Sequence, residues 1–310
     1  MPERRASLLP HHPPIAAPDA APNPTGALVR RLLDDVRRKS GIRHDQPLER
    51  KLSKILAAMP LSALEAWVRS VETAAPDSPD WLSLIENLTI HETYFFRDLP
   101  HHAHLRRTVL PAIVKARKSQ RALRLWSAGC ATGEEAYTLA ILALETLADL
   151  GEARRTDQGI ATGWRVDVMG TDISRVAVRQ ARNACYSGEG LGAFRDLPAE
   201  YHPWFLPLDG SGAHCRRVRE DARATVRFQQ HNLMAPHPPE TGFDLVSCRN
   251  VMIYFDDDSR RRALEQLTQA VVGGGWLVLG TTDRPHRPDL FEKHKDDRAI
   301  AYRKNPEADA

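Results

Sequence analysis

Cysteine is scarce in this chain. Cys130, Cys185, Cys215 and Cys248 are the only four in 310 residues, and no two stand in a C-x-x-C spacing. Such scattered cysteines argue against a zinc site or a disulfide framework and fit a reducing, cytoplasmic compartment. Long apolar runs are also missing. No stretch approaches the roughly 18 apolar residues a membrane helix needs, so no membrane insertion is expected. Residues 1–26 lack the apolar core of a signal peptide, and their Pro- and Ala-rich composition predicts a disordered tail. Neither charge sign dominates, the formal net charge being +3. The distribution is uneven, however. Arg30, Arg31, Arg37, Arg38, Lys39, Arg106, Arg107, Lys115, Arg117, Lys118, Arg121 and Arg124 form basic clusters. These read either as solvated helix faces or as a face for an acidic macromolecule, whether nucleic acid or an acidic protein helix.

The hydrophobic pattern divides the chain. Residues 27–90 read as a small helical domain. Leu28, Leu32, Leu33 and Val36 follow helical spacing, as do Leu48, Leu52, Ile55 and Leu56, and then Leu61, Leu64, Trp67, Val68 and Val71. Residues 91–121 form a linker and a connecting helix. From 122 to 304 strands and helices alternate, which predicts a doubly wound parallel sheet. A helix from Arg260 to Val272 is expected to close at Gly273-Gly274-Gly275. The alternation fails over about 188–224, where Asp209-Gly210-Ser211-Gly212 lies between strand-like runs and predicts an inserted β-hairpin subdomain. Residues 305–310 are a tail.

Leu125 to Glu135 is the most telling stretch: a short strand, then Gly129 and Gly133 in a loop, then a long helix opening on Glu134-Glu135. Strand, glycine loop and helix in this order build nucleotide-type sites. Here no GxGxxG is present, and two carboxylates stand where a pyrophosphate would be repelled. A cofactor with a cationic end suits them, and Glu134 is the favoured contact. Asp172 ends the next strand, where a carboxylate accepts from ribose hydroxyls. Asn232 and Leu233 follow a third strand, placed for an adenine edge and face. Cys248-Arg249-Asn250 follows a fourth, with Tyr254 shortly after. His101-His102-Ala103-His104 fits no ligand spacing and reads as a surface tract; no metal is expected.

Together these segments resemble a known family. Glu92-Thr93-Tyr94-Phe95-Phe96-Arg97, Trp126 to Tyr137, Gly170-Thr171-Asp172-Ile173, Asn232-Leu233 and Cys248 to Asp256 are similar to the signature set of CheR-type chemoreceptor glutamate methyltransferases. The resemblance implies an α/β fold: a Rossmann-like class I S-adenosylmethionine methyltransferase domain with an N-terminal helical domain and a small inserted β-subdomain. It also implies S-adenosyl-L-methionine as cofactor, S-adenosyl-L-homocysteine as product, and methylation of glutamate side chains on the cytoplasmic helical domain of chemoreceptors. By motif position His91, Thr93, Arg97, Gly129, Glu134, Glu135, Asp172, Asn232, Leu233, Cys248 and Arg249 would bind the cofactor, and Arg97 and Tyr254 would face the substrate carboxylate. His91 and Asp283 depart from the commoner Asn and Glu. A receptor C-terminal peptide at the β-subdomain stays open. A monomer without a nucleic-acid partner is expected. The alternatives are a catalytically idle signalling scaffold of the same family, or a nucleic-acid methyltransferase on the same fold.

Overall fold

The computed structural model describes residues 24–89, 91–188, 192–208, 215–296 and 298–309. The tail expected over 1–26 lies outside the described residues up to Asn23, and the first helix already begins at Pro24. Helices α1 (Pro24–Ser40), α2 (Gln46–Ala57), α3 (Leu61–Thr73) and α4 (Pro79–Leu88) form the N-terminal unit. Each start has a local cause. Asp45 accepts from Leu48 N and Pro47 stands in the first turn of α2, while Ser78 accepts from Trp81 N ahead of α4. The apolar stripes meet in one cluster around Leu32, Leu33, Leu52, Val68, Trp81 and Ile85.

Helix α5 (Leu99–His104), a π-helical turn (Leu105–Val109) and α6 (Leu110–Ala116) lead into the second unit. There follow β1 (Ala122–Ala128), α7 (Glu134–Asp149), β2 (Ala153–Thr156), β3 (Gly159–Thr162), β4 (Arg165–Asp172) and α8 (Arg175–Asn183). Next come β5 (Cys185–Ser187), β6 (Phe205–Pro207), β7 (Cys215–Val218), α9 (Glu220–Arg223), β8 (Val226–Gln230) and β9 (Phe243–Cys248). The chain closes with α10 (Asp257–Ala270), β10 (Val271–Leu279), β11 (Phe291–Asp296) and β12 (Ala299–Lys304).

Seven strands make the main sheet in the order β11-β12-β10-β9-β1-β4-β8. Its β8, β4, β1, β9 and β10 run parallel, but β12 is antiparallel to both β10 and β11. The expected all-parallel sheet is therefore mixed at one edge. Side chains alternate between two cores. Leu123 and Leu125 of β1 face the cluster containing α6 and α7, while Trp126 and Ala128 face the cluster containing α10. A sheet buried on both faces explains the near-continuous apolar strands.

Four expectations change here. Helix α10 ends at Ala270, and Gly273 to Gly275 lie inside β10, where the pairing register with β9 shifts. The inserted unit is a three-stranded sheet, β5-β7-β6, and begins at Cys185; the Asp209 to Gly212 turn lies outside the described residues. Antiparallel pairing of β5 with β7 brings Cys185 and Cys215 together as a disulfide, with Cα atoms 6.4 Å apart, although 30 residues separate them in sequence. The sequence spacing hid this pair because sheet pairing, not local spacing, creates it. Pro306–Asp309 forms a short helical turn rather than a plain tail.

Candidate active site

Sheet order reverses about β1, which lies between β4 and β9. Ligands of open α/β sheets sit beyond the carboxyl ends of strands at such a point. A cavity lies there, and its wall takes residues from after β1 (Gly129, Cys130, Ala131), β4 (Asp172), β8 (His231, Asn232, Leu233) and β9 (Arg249, Asn250, Val251). The opposite wall comes from the helical unit, with Ile42, Arg43, Leu48, Lys51 and Leu88, and from Thr89, His91 to Tyr94, Phe96 and Arg97. The two units are tied across the cavity. Asn232 Nδ2 donates to the Lys39 carbonyl at 2.7 Å, Arg43 N donates to the Tyr254 carbonyl at 2.8 Å, and Arg37 pairs with Asp256.

The loop after β1 is tightly wound. Gly129 N and Cys130 N both donate to the Thr171 carbonyl, at 2.7 and 2.8 Å. Gly129 has φ +77°, and a Cβ there would run into the Val251 side chain. Asp172 holds the same loop from below, Oδ2 accepting from Ala131 N and Oδ1 from Ser174 N, each at 2.9 Å. Burial pushes its carboxyl up, against these backbone donors. With Ile173 as a third backbone donor, the carboxylate keeps one acceptor site, and Asp172 lines the cavity.

The two glutamates part company. Glu135 lines the cavity; Ser127 Oγ donates to it at 2.7 Å, and Arg249 Nη1 stands 3.9 Å away. Glu134 does not line it. Its carboxyl is buried beside the Thr132 hydroxyl, which donates at 2.6 Å, and burial pushes it up to about 7. The helical turn separates the neighbours by about 100°, so only one of them faces the ligand side. Cys248 is likewise buried at the end of β9 and lies outside the cavity wall.

Arg97 occupies an unusual backbone. Phe96 and Asp98 on either side have φ of 56° and 75°, left-handed values that cost energy in residues other than glycine. Arg249 clamps the segment. Its side chain is 6% exposed, Nη1 donates to the Arg97 carbonyl at 3.1 Å, and Nη2 donates to the Asp98 carboxylate at 2.6 Å. The Arg97 guanidinium donates to the Glu92 carbonyl at 3.0 Å and lies 5.7 Å from the Tyr94 ring centroid. Arg97 and Tyr254 both line the cavity, as do His91 and Thr93.

Residues 91–300 match the family described as "CheR methyltransferase, SAM binding domain". The chain belongs to the CheR methyltransferase family. A chemotaxis protein methyltransferase 1 of Pseudomonas aeruginosa is 29% identical over 254 residues, covering 82% of this chain and 87% of that protein. A probable chemotaxis protein methyltransferase of Rhizobium etli is 27% identical over 234 residues, covering 76% and 82%. An uncharacterized 104.1 kDa protein of Rhodobacter capsulatus is 35% identical over 214 residues; there the match takes in 69% of this chain but 21% of the larger protein.

Within this CheR chain several features were not legible beforehand. His101, His102 and His104 are buried, not a surface tract. Helix α5 packs His102 edge-on against Phe96, with ring centroids 5.7 Å apart, and His102 reaches the cavity wall. Burial pushes His101 well down and His102 to about 3, so both are neutral. The signal available was Leu105 and Val109, four residues from His101 and then four more, on one helical face. The basic clusters are largely paired within the chain. Of the twelve residues named, Arg31, Arg37, Arg38, Lys39, Arg106, Arg107, Arg117, Lys118 and Arg124 all pair with carboxylates. This pairing weakens the case for a broad basic face. Asp283 lies buried behind the site. Burial raises its carboxyl, and Arg260 Nε stands 3.9 Å away. No helix among the described residues is long and apolar enough to cross a membrane.

Proposed function

We propose that this chain methylates glutamate side chains on the cytoplasmic helical domain of chemoreceptors, yielding methyl esters and S-adenosyl-L-homocysteine, for adaptation in chemotaxis or a related chemosensory pathway. The observation that carries this reading is the interdomain cavity itself. It sets a carboxylate (Glu135) and a guanidinium (Arg249) at one end, a buried carboxylate (Asp172) in its wall, and Arg97 with Tyr254 on the same lining. A zwitterionic amino-acid group complements the Glu135–Arg249 pair, and a ribose hydroxyl complements the remaining acceptor site of Asp172. The donor set therefore fits S-adenosyl-L-methionine, with Gly129 allowing close approach and Leu233 offering an apolar face. His91, Thr93 and Asn232 complete the proposed binding set. Glu134 and Cys248 act from behind it, as supports for the loop and strand. When bound, the cofactor supplies an electrophilic methyl group on a sulfonium.

The remaining work falls to the protein. A glutamate side chain has an ordinary pKa of about 4.3, so it arrives ionised near pH 7 and needs no general base. Arg97 holds that carboxylate with charge-assisted hydrogen bonds. Its bond to the Glu92 carbonyl and its place over Tyr94 limit its freedom before substrate arrives. The grip has to be moderate, because attack consumes the charge Arg97 binds. Tyr254 directs the attacking oxygen. Closure by the helical unit excludes water and holds the reacting atoms roughly 3–3.5 Å apart. In the small sheet β6 is an edge strand carrying Leu206, an exposed apolar residue; this favours a receptor C-terminal peptide added there as a strand. Incubation with methyl-labelled cofactor, a chemoreceptor cytoplasmic fragment and, separately, RNA tests the reading. Label is expected on glutamates of the fragment. Label on RNA alone would favour the nucleic-acid alternative, and cofactor binding without any transfer would favour the scaffold.

A further inference from the structure

Arg195 belongs to the inserted segment, not to the cavity wall, yet it touches the two residues that frame Arg97. Its guanidinium lies 4.2 Å from the Tyr94 ring centroid, the same ring over which Arg97 stands at 5.7 Å. Its Nη2 donates to the Glu92 carboxylate at 2.8 Å, while the Glu92 carbonyl accepts from Arg97 at 3.0 Å. Glu92 thus meets both arginines, with its side chain turned to Arg195 and its main chain turned to Arg97. The contact is anchored beyond one ion pair. Phe95 N donates to the Ala193 carbonyl at 2.9 Å, and Phe95 stacks on Phe194 at 5.5 Å. Phe95 also meets Tyr186 of β5 at 4.8 Å and Phe205 of β6 at 4.4 Å. The small sheet and the segment carrying Arg97 share one aromatic core.

We infer that Arg195 is a positioning residue that keeps the Glu92 carboxylate off Arg97, so that the guanidinium stays open for the substrate carboxylate. The inference rests on the proposed role of Arg97. Glu92 is a neighbour of Arg97 through its own carbonyl; the adjacent carboxylate, Asp98, is already held by Arg249, which leaves the Glu92 carboxylate as the competitor for the charge the substrate needs. An ion pair at 2.8 Å and a cation over the intervening ring restrain that competitor. Because Arg195 rides on the inserted unit, whatever stabilises the small sheet also stabilises this arrangement.

A merely structural contact and a competitor guard differ in one respect: only the guard's loss is repaired by removing the competing charge. The test compares the full chain with Arg195→Ala, Arg195→Lys, Arg97→Ala and the double variant Glu92→Gln/Arg195→Ala. The readouts are methyl incorporation into a chemoreceptor cytoplasmic fragment, thermal unfolding, and calorimetry with S-adenosyl-L-homocysteine. Arg195→Ala is expected to lower kcat/KM for the fragment by about tenfold to a hundredfold, with homocysteine-product affinity unchanged. Arg195→Lys should fall between, since it keeps the charge and loses the fork. The double variant should recover most of the loss. Unaltered kcat/KM in Arg195→Ala, or a loss that Glu92→Gln does not repair, overturns the inference while Arg97→Ala remains impaired. Full turnover in Arg97→Ala instead overturns the role of Arg97 and the inference with it.

Discussion

Arg249 grips Arg97 through the main chain rather than the side chain, donating Nη1 to its carbonyl at 3.1 Å. The second branch of the same fork reaches the Asp98 carboxylate at 2.6 Å. A buried guanidinium therefore spans the two residues of a segment whose flanking φ angles are left-handed. Such backbone persists only where its surroundings over-determine it. The cavity-lining Arg249 thus has a second task, to present Arg97 in one orientation.

Replacing Arg249 with Lys keeps the charge and loses the fork. A charge-assisted hydrogen bond is worth roughly 1.5–3 kcal/mol. The Lys variant is accordingly expected to lose tenfold to a hundredfold in methyl transfer measured as initial rate. Wild-type rates would mean that the segment holds its strained backbone without help.

Glu134 makes a prediction about pH. Its carboxyl is pushed up to about 7 by burial, while an unfolded glutamate titrates at about 4.3. Across that interval the folded state holds a proton the unfolded chain has released, so stability falls as pH rises from about 4.3 to about 7. Glu134→Gln removes that penalty. Urea unfolding should show the variant equal to wild type near pH 4 and more stable above pH 7, by up to roughly 3–4 kcal/mol. A variant less stable than wild type at pH 8 would contradict this.

The buried imidazoles act in the opposite direction. His101 and His102 are held below the ordinary range, His102 to about 3. The unfolded chain takes up protons below about 6.5, so the stability these residues contribute is complete above that pH and is lost as pH falls toward 3. At pH 5 the cost is about 2 kcal/mol for His102. His102→Phe should flatten the acid limb of a stability–pH curve; an unchanged limb would place the acid sensitivity elsewhere.

Gly129 tests the loop. Gly129→Ala adds a Cβ at φ +77° that meets Val251, a combination costing roughly 1–3 kcal/mol. Calorimetry should find weaker binding of S-adenosyl-L-homocysteine together with a lowered Tm. Normal affinity would show that the loop has room to yield.

What the sequence revealed and what it hid divide along physical lines. Strand ends at Asp172 and Cys248 were legible, and that of β1 to within two residues of Ala128, because they rest on local apolar runs and turn residues. The choice between Glu134 and Glu135 was not legible, since it depends on how α7 is rotated against β1 and α8. The buried histidines looked like surface residues because three polar side chains in four positions mimic a solvated tract, and only packing against Phe96 reverses that reading. Gly273 to Gly275 resembled a helix stop, yet strand pairing with β9 absorbed them. Long-range pairing likewise set Cys185 beside Cys215 and neutralised most of the basic cluster.

Methylation of a carboxylate directed by Arg97 is the chemistry proposed for this site. The most direct measurement is the chemistry of the transferred label: methyl-labelled S-adenosyl-L-methionine, a chemoreceptor cytoplasmic fragment, and mild base after the reaction. Release of the label as methanol from mapped glutamates, strongly reduced in Arg97→Ala, is the expected result. Label that survives base, or release that Arg97→Ala leaves unchanged, would contradict it.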